Sequence, residues 1–227
     1  TRQLNLNNSS KKTKKINLVI FDLDGTLIDS TTEIAFIVNC TLKKNGYPER
    51  SKKFYTKNIG SGISDLLKKS LPKRYNKDFM SLLSDTNFFY STYLNKKSQT
   101  FTGIEKILNL LKNKNIRIGI VTNKLHKLAL RCVNHYFSEY DIITIGAEYK
   151  FKRKPDPSSA LEIIKLYDIQ SKESILIGDS IIDIQTAKNA NMHSGGVLWG
   201  NGTLKELEPA DEIFKNPREL LNYFLEI

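Results

Sequence analysis

Cysteine, tryptophan and histidine are scarce in this chain of 227 residues, with two, one and three copies respectively. The two cysteines, Cys40 and Cys132, stand far apart, which fits a reduced, cytoplasmic protein better than a disulfide-built scaffold. With so few Cys and His, no ligand spacing for structural zinc exists. Long apolar runs are missing as well. None approaches the roughly 20 residues that span a bilayer, and the opening basic residues have no apolar segment behind them. Neither a membrane span nor a secretory signal is expected. Acidic residues are absent from the start: none precedes Asp22, whereas Arg2, Lys11, Lys12, Lys14 and Lys15 are basic. Residues 1–15 therefore read as a flexible basic tail. With those five set aside from 35 basic against 24 acidic residues, about +6 of the +11 net charge remains. No clustered basic helix or aromatic–basic stripe follows, so nucleic acid is not expected as the main partner.

What the chain does have is a 40% share of hydrophobic residues arranged in short, spaced runs. The first, residues 16–21, reads as a buried strand. It ends in Asp22-Leu23-Asp24-Gly25-Thr26-Leu27, two carboxylates two residues apart before a glycine that permits a sharp departure. Like charges this close repel and shift each other's pKa. A divalent cation is the usual remedy, so the segment points to a metal-assisted carboxylate site.

Residues 30–97 hold no convincing strand. Helices are expected at 31–44, 52–58, 62–70 and 75–95, from apolar spacing such as Ile34, Ile37, Val38 and Leu42. From Gly103 the pattern alternates. Strands are expected at 116–121, 142–145, 174–177, 194–198 and 212–214. Helices are expected at 104–112, 124–137, 157–167, 181–189 and 217–225, with Asp156 as a cap and Pro157 in the first turn. Alternating strands and helices define an α/β, Rossmann-like parallel sheet with helices on both faces. The division is a core of residues 16–29 and 98–227 and an inserted all-helical unit of residues 30–97.

In such a sheet ligands bind beyond the carboxyl ends of the strands. Those ends carry Asp22 and Asp24, Thr122-Asn123, and Gly178-Asp179 with Asp183 four residues on; Lys154 lies just before a helix start. Carboxylates, a hydroxyl, an amide and a lysine at one edge suit Mg²⁺ together with a phosphate.

These residues, with Lys154-Pro155-Asp156-Pro157 and Gly178-Asp179-Ser180, resemble in order the four motifs of the haloacid dehalogenase superfamily. The resemblance runs from about residue 16 to the end. The helical insert resembles that superfamily's small cap, and Gly46-Tyr47-Pro48 and Ile59-Gly60-Ser61-Gly62 are similar to the cap of phosphoglycolate phosphatase-like members. The resemblance implies a Mg²⁺-dependent phosphatase acting on a small phosphorylated metabolite, as a monomer or homodimer. Asp22 would be nucleophile and metal ligand. Asp24 would be general acid and base, its carbonyl on the metal. Thr122, Asn123 and Lys154 would bind phosphate. Asp179 would ligate metal, and Asp183 would act through a water or by orienting Lys154. Hinges are expected near Asp29-Ser30 and at residues 99–103. A sugar phosphomutase of the β-phosphoglucomutase type, or a nucleotide or pyrophosphate phosphatase, would share the core residues. Asp24 disfavours a dehalogenase, which lacks the second aspartate. Phe88, Phe89, Tyr90 and Tyr93 are expected to pack at the core or cap interface, His126 to be exposed, and Trp199 to pack.

Overall fold

The structure is a computed structural model and describes residues 15–227. Apart from Lys15, the basic tail expected at residues 1–15 lies outside these described residues.

The first strand, β1 (Leu18–Phe21), is buried at all four positions. Successive side chains point to opposite faces. Leu18 and Ile20 join a cluster with Ala160, Ile163 and Ala187, while Val19 and Phe21 join the larger cluster with Ile104, Leu108 and Leu220. A strand apolar on both faces belongs in the middle of a covered parallel sheet, and β1 occupies that place.

A short strand β2 (Ile28–Asp29) follows, then four helices: α1 (Thr31–Lys44), α2 (Lys52–Asn58), α3 (Ile63–Ser70) and α4 (Phe79–Tyr93). The side chain of Ser51 caps α2 and that of Asp78 caps α4, each accepting from a backbone N–H of the first turn. The fourth helix starts at Phe79 rather than near residue 75 because Asp78 supplies that cap. The chain returns through β3 (Gln99–Thr100), which pairs antiparallel with β2, Ile28 opposite Thr100 and Asp29 opposite Gln99. The two expected hinge segments thus meet in one two-stranded ribbon. The helical unit has its own ties. The buried Tyr55 donates its hydroxyl to Asn39 Oδ1 at 2.6 Å, Thr41 and Thr86 share a hydrogen bond of 3.0 Å, and Glu33 Oε2 accepts from the Lys97 N–H at 2.9 Å.

The remainder alternates: α5 (Ile104–Asn113), β4 (Arg117–Leu125), α6 (His126–Tyr136), β5 (Ile142–Ala147), α7 (Ser158–Leu166), β6 (Ser174–Gly178), α8 (Ile181–Asn189), β7 (His193–Val197), α9 (Leu204–Leu207), β8 (Glu212–Phe214) and α10 (Pro217–Glu226). The sheet order is β5-β4-β1-β6-β7-β8, every pairing parallel. Most boundaries here differ from expectation by a residue or two, as where α6 starts at His126 rather than residue 124 and β5 ends at Ala147 rather than residue 145; two differences have a clear local cause. Strand β4 runs on to Leu125, past the expected end at residue 121, because Gly146 and Ala147 of β5 continue to pair with it across a register shift between Thr122 and Leu125. Helix α7 begins at Ser158, with Pro157 as the cap residue; Asp156 Oδ1 still accepts from the Ser158 N–H at 3.0 Å. Among the described residues no helix is long and apolar enough to cross a membrane.

Candidate active site

Because β1, β4 and β6 lie side by side and run the same way, their carboxyl ends open onto one edge. Asp22 follows β1 directly and donates its N–H to Ile177 O at 2.9 Å, still in register with β6. The chain then turns at Gly25 (φ 88°), where the Gly25 N–H donates to Ile28 O at 2.8 Å. The turn holds Asp24 off the strand, so the two carboxylates diverge.

Lys154 reaches this edge from the loop before α7. Its Nζ donates to Asp22 Oδ1 at 2.7 Å and Asp183 Oδ1 at 2.6 Å, and its side chain is only 3% exposed. Of three adjacent basic residues, Lys154 is the buried one. Arg153 turns outward to Glu148 Oε1 (2.7 Å) and Ser61 O (3.3 Å), and Lys152 is exposed. Asp183 sits in the first turn of α8 as part of a capping box, its Oδ2 accepting from the Ser180 N–H and hydroxyl. Both of its oxygens therefore have partners, and it fixes Lys154 in place. Asp179, just past β6, accepts from the Asn201 N–H at 2.7 Å and is hemmed in by glycines. A Cβ on Gly25 or Gly200 would run into the Asp179 side chain, and one on Gly202 into its carbonyl oxygen.

Three buried carboxylates thus face a single buried ammonium. Burial pushes Asp22 up to about 6 from 3.8, held in check by Lys154. Asp179 has no lysine contact and is pushed further, to about 8, by burial and then by the charges of Asp22 and Asp183. Burial works against the charge on Lys154, but Asp183 and Asp22 outweigh it and hold the ammonium above the usual lysine range. One oxygen from each of Asp22, Asp179 and Asp183 lies within 4.8 Å of the others. An all-oxygen donor set with uncompensated negative charge fits a hard divalent cation, so these residues pass the chemical test for one.

The end of β4 forms the opposite wall. Thr122 and Asn123 are buried, and Asn123 fastens the site's loops. Its Oδ1 accepts from the Lys154 N–H at 2.9 Å and its Nδ2 donates to Gly60 O in the helical unit at 3.0 Å. All seven residues singled out in the sequence (Asp22, Asp24, Thr122, Asn123, Lys154, Asp179 and Asp183) converge on this edge. Sequence reasoning passed over Lys124, although it adjoins Thr122-Asn123. Its Nζ donates to both oxygens of Asp24, at 2.9 and 3.0 Å, and to Tyr90 Oη at 2.8 Å. Tyr90 on α4 is buried as expected, but its hydroxyl is part of the site. Asn201 was also missed; it holds Asp179 from a loop with no motif to mark it. Trp199 packs and donates from Nε1 to Thr26 O at 3.0 Å, while His126, half-buried, stacks on Tyr149 and accepts from the Gly146 N–H. Phe88 is 63% exposed and takes no part.

Between these walls lies a cavity of about 40 Å³, bordered by Asp22, Asp24, Thr122 and Lys124 and by apolar side chains such as Ile34, Ile63 and Leu128. Fold and edge together define a Rossmann-like α/β protein in which a buried acidic cluster meets a hydroxyl, an amide and two lysines at the ends of parallel strands. The chain matches the model of the haloacid dehalogenase-like hydrolase family over residues 19–197 and belongs to that family. It is 29% identical over 210 residues to a phosphoglycolate phosphatase of Aquifex aeolicus, covering 91% of this chain and 95% of the relative. It is 30% identical over 224 residues to a phosphoglycolate phosphatase of Psychrobacter arcticus, covering 92% and 95%. Among solved structures, a haloacid dehalogenase-like family hydrolase from Streptococcus pneumoniae shares the fold, with a TM-score of 0.82 at 22% identity over 92% of this chain and 99% of that one.

Proposed function

We propose that this phosphoric monoester hydrolase cleaves a small monoester, of the phosphoglycolate kind, by way of an aspartyl-phosphate on Asp22. The observation that carries the reading is Lys154 bridging Asp22 and Asp183 inside a three-carboxylate cluster at the strand ends. An Asp22 oxygen attacks phosphorus as the ester P–O bond breaks, and Asp24 gives its proton to the leaving alkoxide. Asp24 then takes a proton from water, whose oxygen attacks phosphorus, releasing phosphate and restoring Asp22. Lys154 balances charge on Asp22 and the phosphoryl oxygens, and Thr122 with Asn123 receives those oxygens. Asp22, Asp179 and the Asp24 carbonyl would hold Mg²⁺, with Asp183 behind Lys154 or a bound water. Bound there, the cation would neutralise phosphoryl charge and favour the ionised forms of the buried carboxylates.

The 40 Å³ cavity holds only a few water-sized bodies at roughly 10–15 Å³ each. Admission of a phosphate ester is assigned to a movement of helices α1–α4 about the β2–β3 ribbon, where the chain enters and leaves the helical unit. Residues 30–97 then act as a cap. The substrate class rests on the names of the curated relatives. Purified protein with phosphoglycolate is expected to release inorganic phosphate with Mg²⁺ and none after chelation. The Asp22→Asn variant is expected to be inactive. Undiminished release by that variant would sink the covalent reading, and an isomerised product in place of free phosphate would mark a mutase.

A further inference from the structure

The mechanism leaves one buried cation without a task. Lys124 stands at the end of β4 with its side chain 2% exposed. An ammonium has three N–H donors, and here two go to the Asp24 oxygens and the third to Tyr90 Oη. The ammonium also lies 4.8 Å from the Tyr90 ring centroid. Asp24 belongs to the core and Tyr90 to α4 of the helical unit, so one side chain spans the boundary between them, across which the proposed cap movement takes place. The Asp24 carboxylate has no other hydrogen-bond partner among the described contacts; its aim is set by Lys124.

We propose that Lys124 is a positioning residue that ties closure of the helical unit, through Tyr90, to the placement of the Asp24 carboxylate at the leaving-group oxygen. The inference rests on the proposed role of Asp24 and extends it. With the cap away, Tyr90 no longer holds the ammonium and the carboxylate is loosely aimed. With the cap seated, all three donors are filled and Asp24 is fixed. When Asp24 takes up its proton, Lys124 keeps one of the two oxygens and releases the other, which then carries the proton toward the leaving group. Proton donation is thereby confined to the enclosed state.

First-turnover rates on two substrates provide the test. Phosphoglycolate has an alkoxide leaving group that needs a proton; p-nitrophenyl phosphate does not. Lys124→Met is expected to slow the first turnover of phosphoglycolate about 100-fold and to leave the first-turnover burst of nitrophenolate nearly intact. Tyr90→Phe keeps the Lys124–Asp24 pair and removes only the cap-side tie. It is expected to slow phosphoglycolate cleavage about tenfold, as loss of one hydrogen bond to a charged group would, and to add little on top of Lys124→Met. Equal losses on both substrates, or a Tyr90→Phe penalty of the same size with and without Lys124, would overturn the proposal, since a merely structural ion pair does not distinguish leaving groups. Asp22→Asn, run alongside, separates the failures. If it is silent, those outcomes remove only the role of Lys124; if it still releases phosphate, the aspartyl-phosphate reading falls and this inference with it.

Discussion

Asp179→Asn, studied without metal, isolates the electrostatic cost of the acidic cluster. Asp179 is buried, lacks a lysine partner, and titrates at about 8 where an ordinary aspartate titrates at 3.8. A carboxyl whose folded value is raised binds its proton more tightly when folded. The stability it lends is complete below the unfolded value and is lost as pH rises through the folded one. Metal-free protein should therefore weaken from about pH 4 upward, through about 6 for Asp22 and about 8 for Asp179. At 1.36 kcal/mol per tenfold in proton affinity, the Asp179 displacement sets a ceiling of about 6 kcal/mol at pH 8. Relaxation of the site, with an effective dielectric nearer 20 than 4, lowers the expectation to about 2–3 kcal/mol. An asparagine keeps an acceptor for the Asn201 N–H and carries no charge. In a chelating buffer at pH 8, Asp179→Asn should melt above the parent by about 4–12 °C, with the gap closing at pH 5. Added Mg²⁺ should raise the parent's melting temperature by mass action and leave the variant's unchanged, while phosphatase activity is lost. A variant less stable than the parent at pH 8 without metal, or one that still responds to Mg²⁺, would refute the account of the cluster as uncompensated charge awaiting a cation.

Other outcomes are as specific. Lys154→Met leaves Asp22 and Asp183 buried without their cation and should cost about 3–5 kcal/mol in a chelating buffer, measured by urea unfolding, with phosphate release abolished. Gly202→Ala forces a methyl against the Asp179 carbonyl; about 1–3 kcal/mol of stability should go, and Mg²⁺ titration should show weaker binding although no ligand has changed. Leu67→Ala, in the helical unit and fully buried, should cost about 2–5 kcal/mol, and proteolysis should then cut first within residues 30–97.

Much of the core was legible because its signals are local. A strand buried on both faces has to be apolar throughout, and residues 16–21 are. Asp22, Asp179 and Lys154 stood out because they belong to motifs that fall in order at successive strand ends and loops, an arrangement that no single acid or lysine would reveal. Boundaries were less legible, because partners decide them: β4 extends to Leu125 only because β5 runs beside it. Lys124, Tyr90 and Asn201 escaped for the same reason. A lysine after a strand, a tyrosine in an aromatic run and an asparagine in a loop are ordinary residues, and their meaning comes from what lies opposite.

The sequence by itself determined the class of fold, the edge at which chemistry would gather and the residue types available there, since periodicity and motif order are properties of the chain alone. Only the tertiary structure decided the pairings. It set Lys154 between Asp22 and Asp183, left Asp179 without a cation, and gave Asp24 to Lys124, a residue 100 positions away. Hydrogen bonds and charges act over a few ångströms of space, and sequence separation carries no record of that distance.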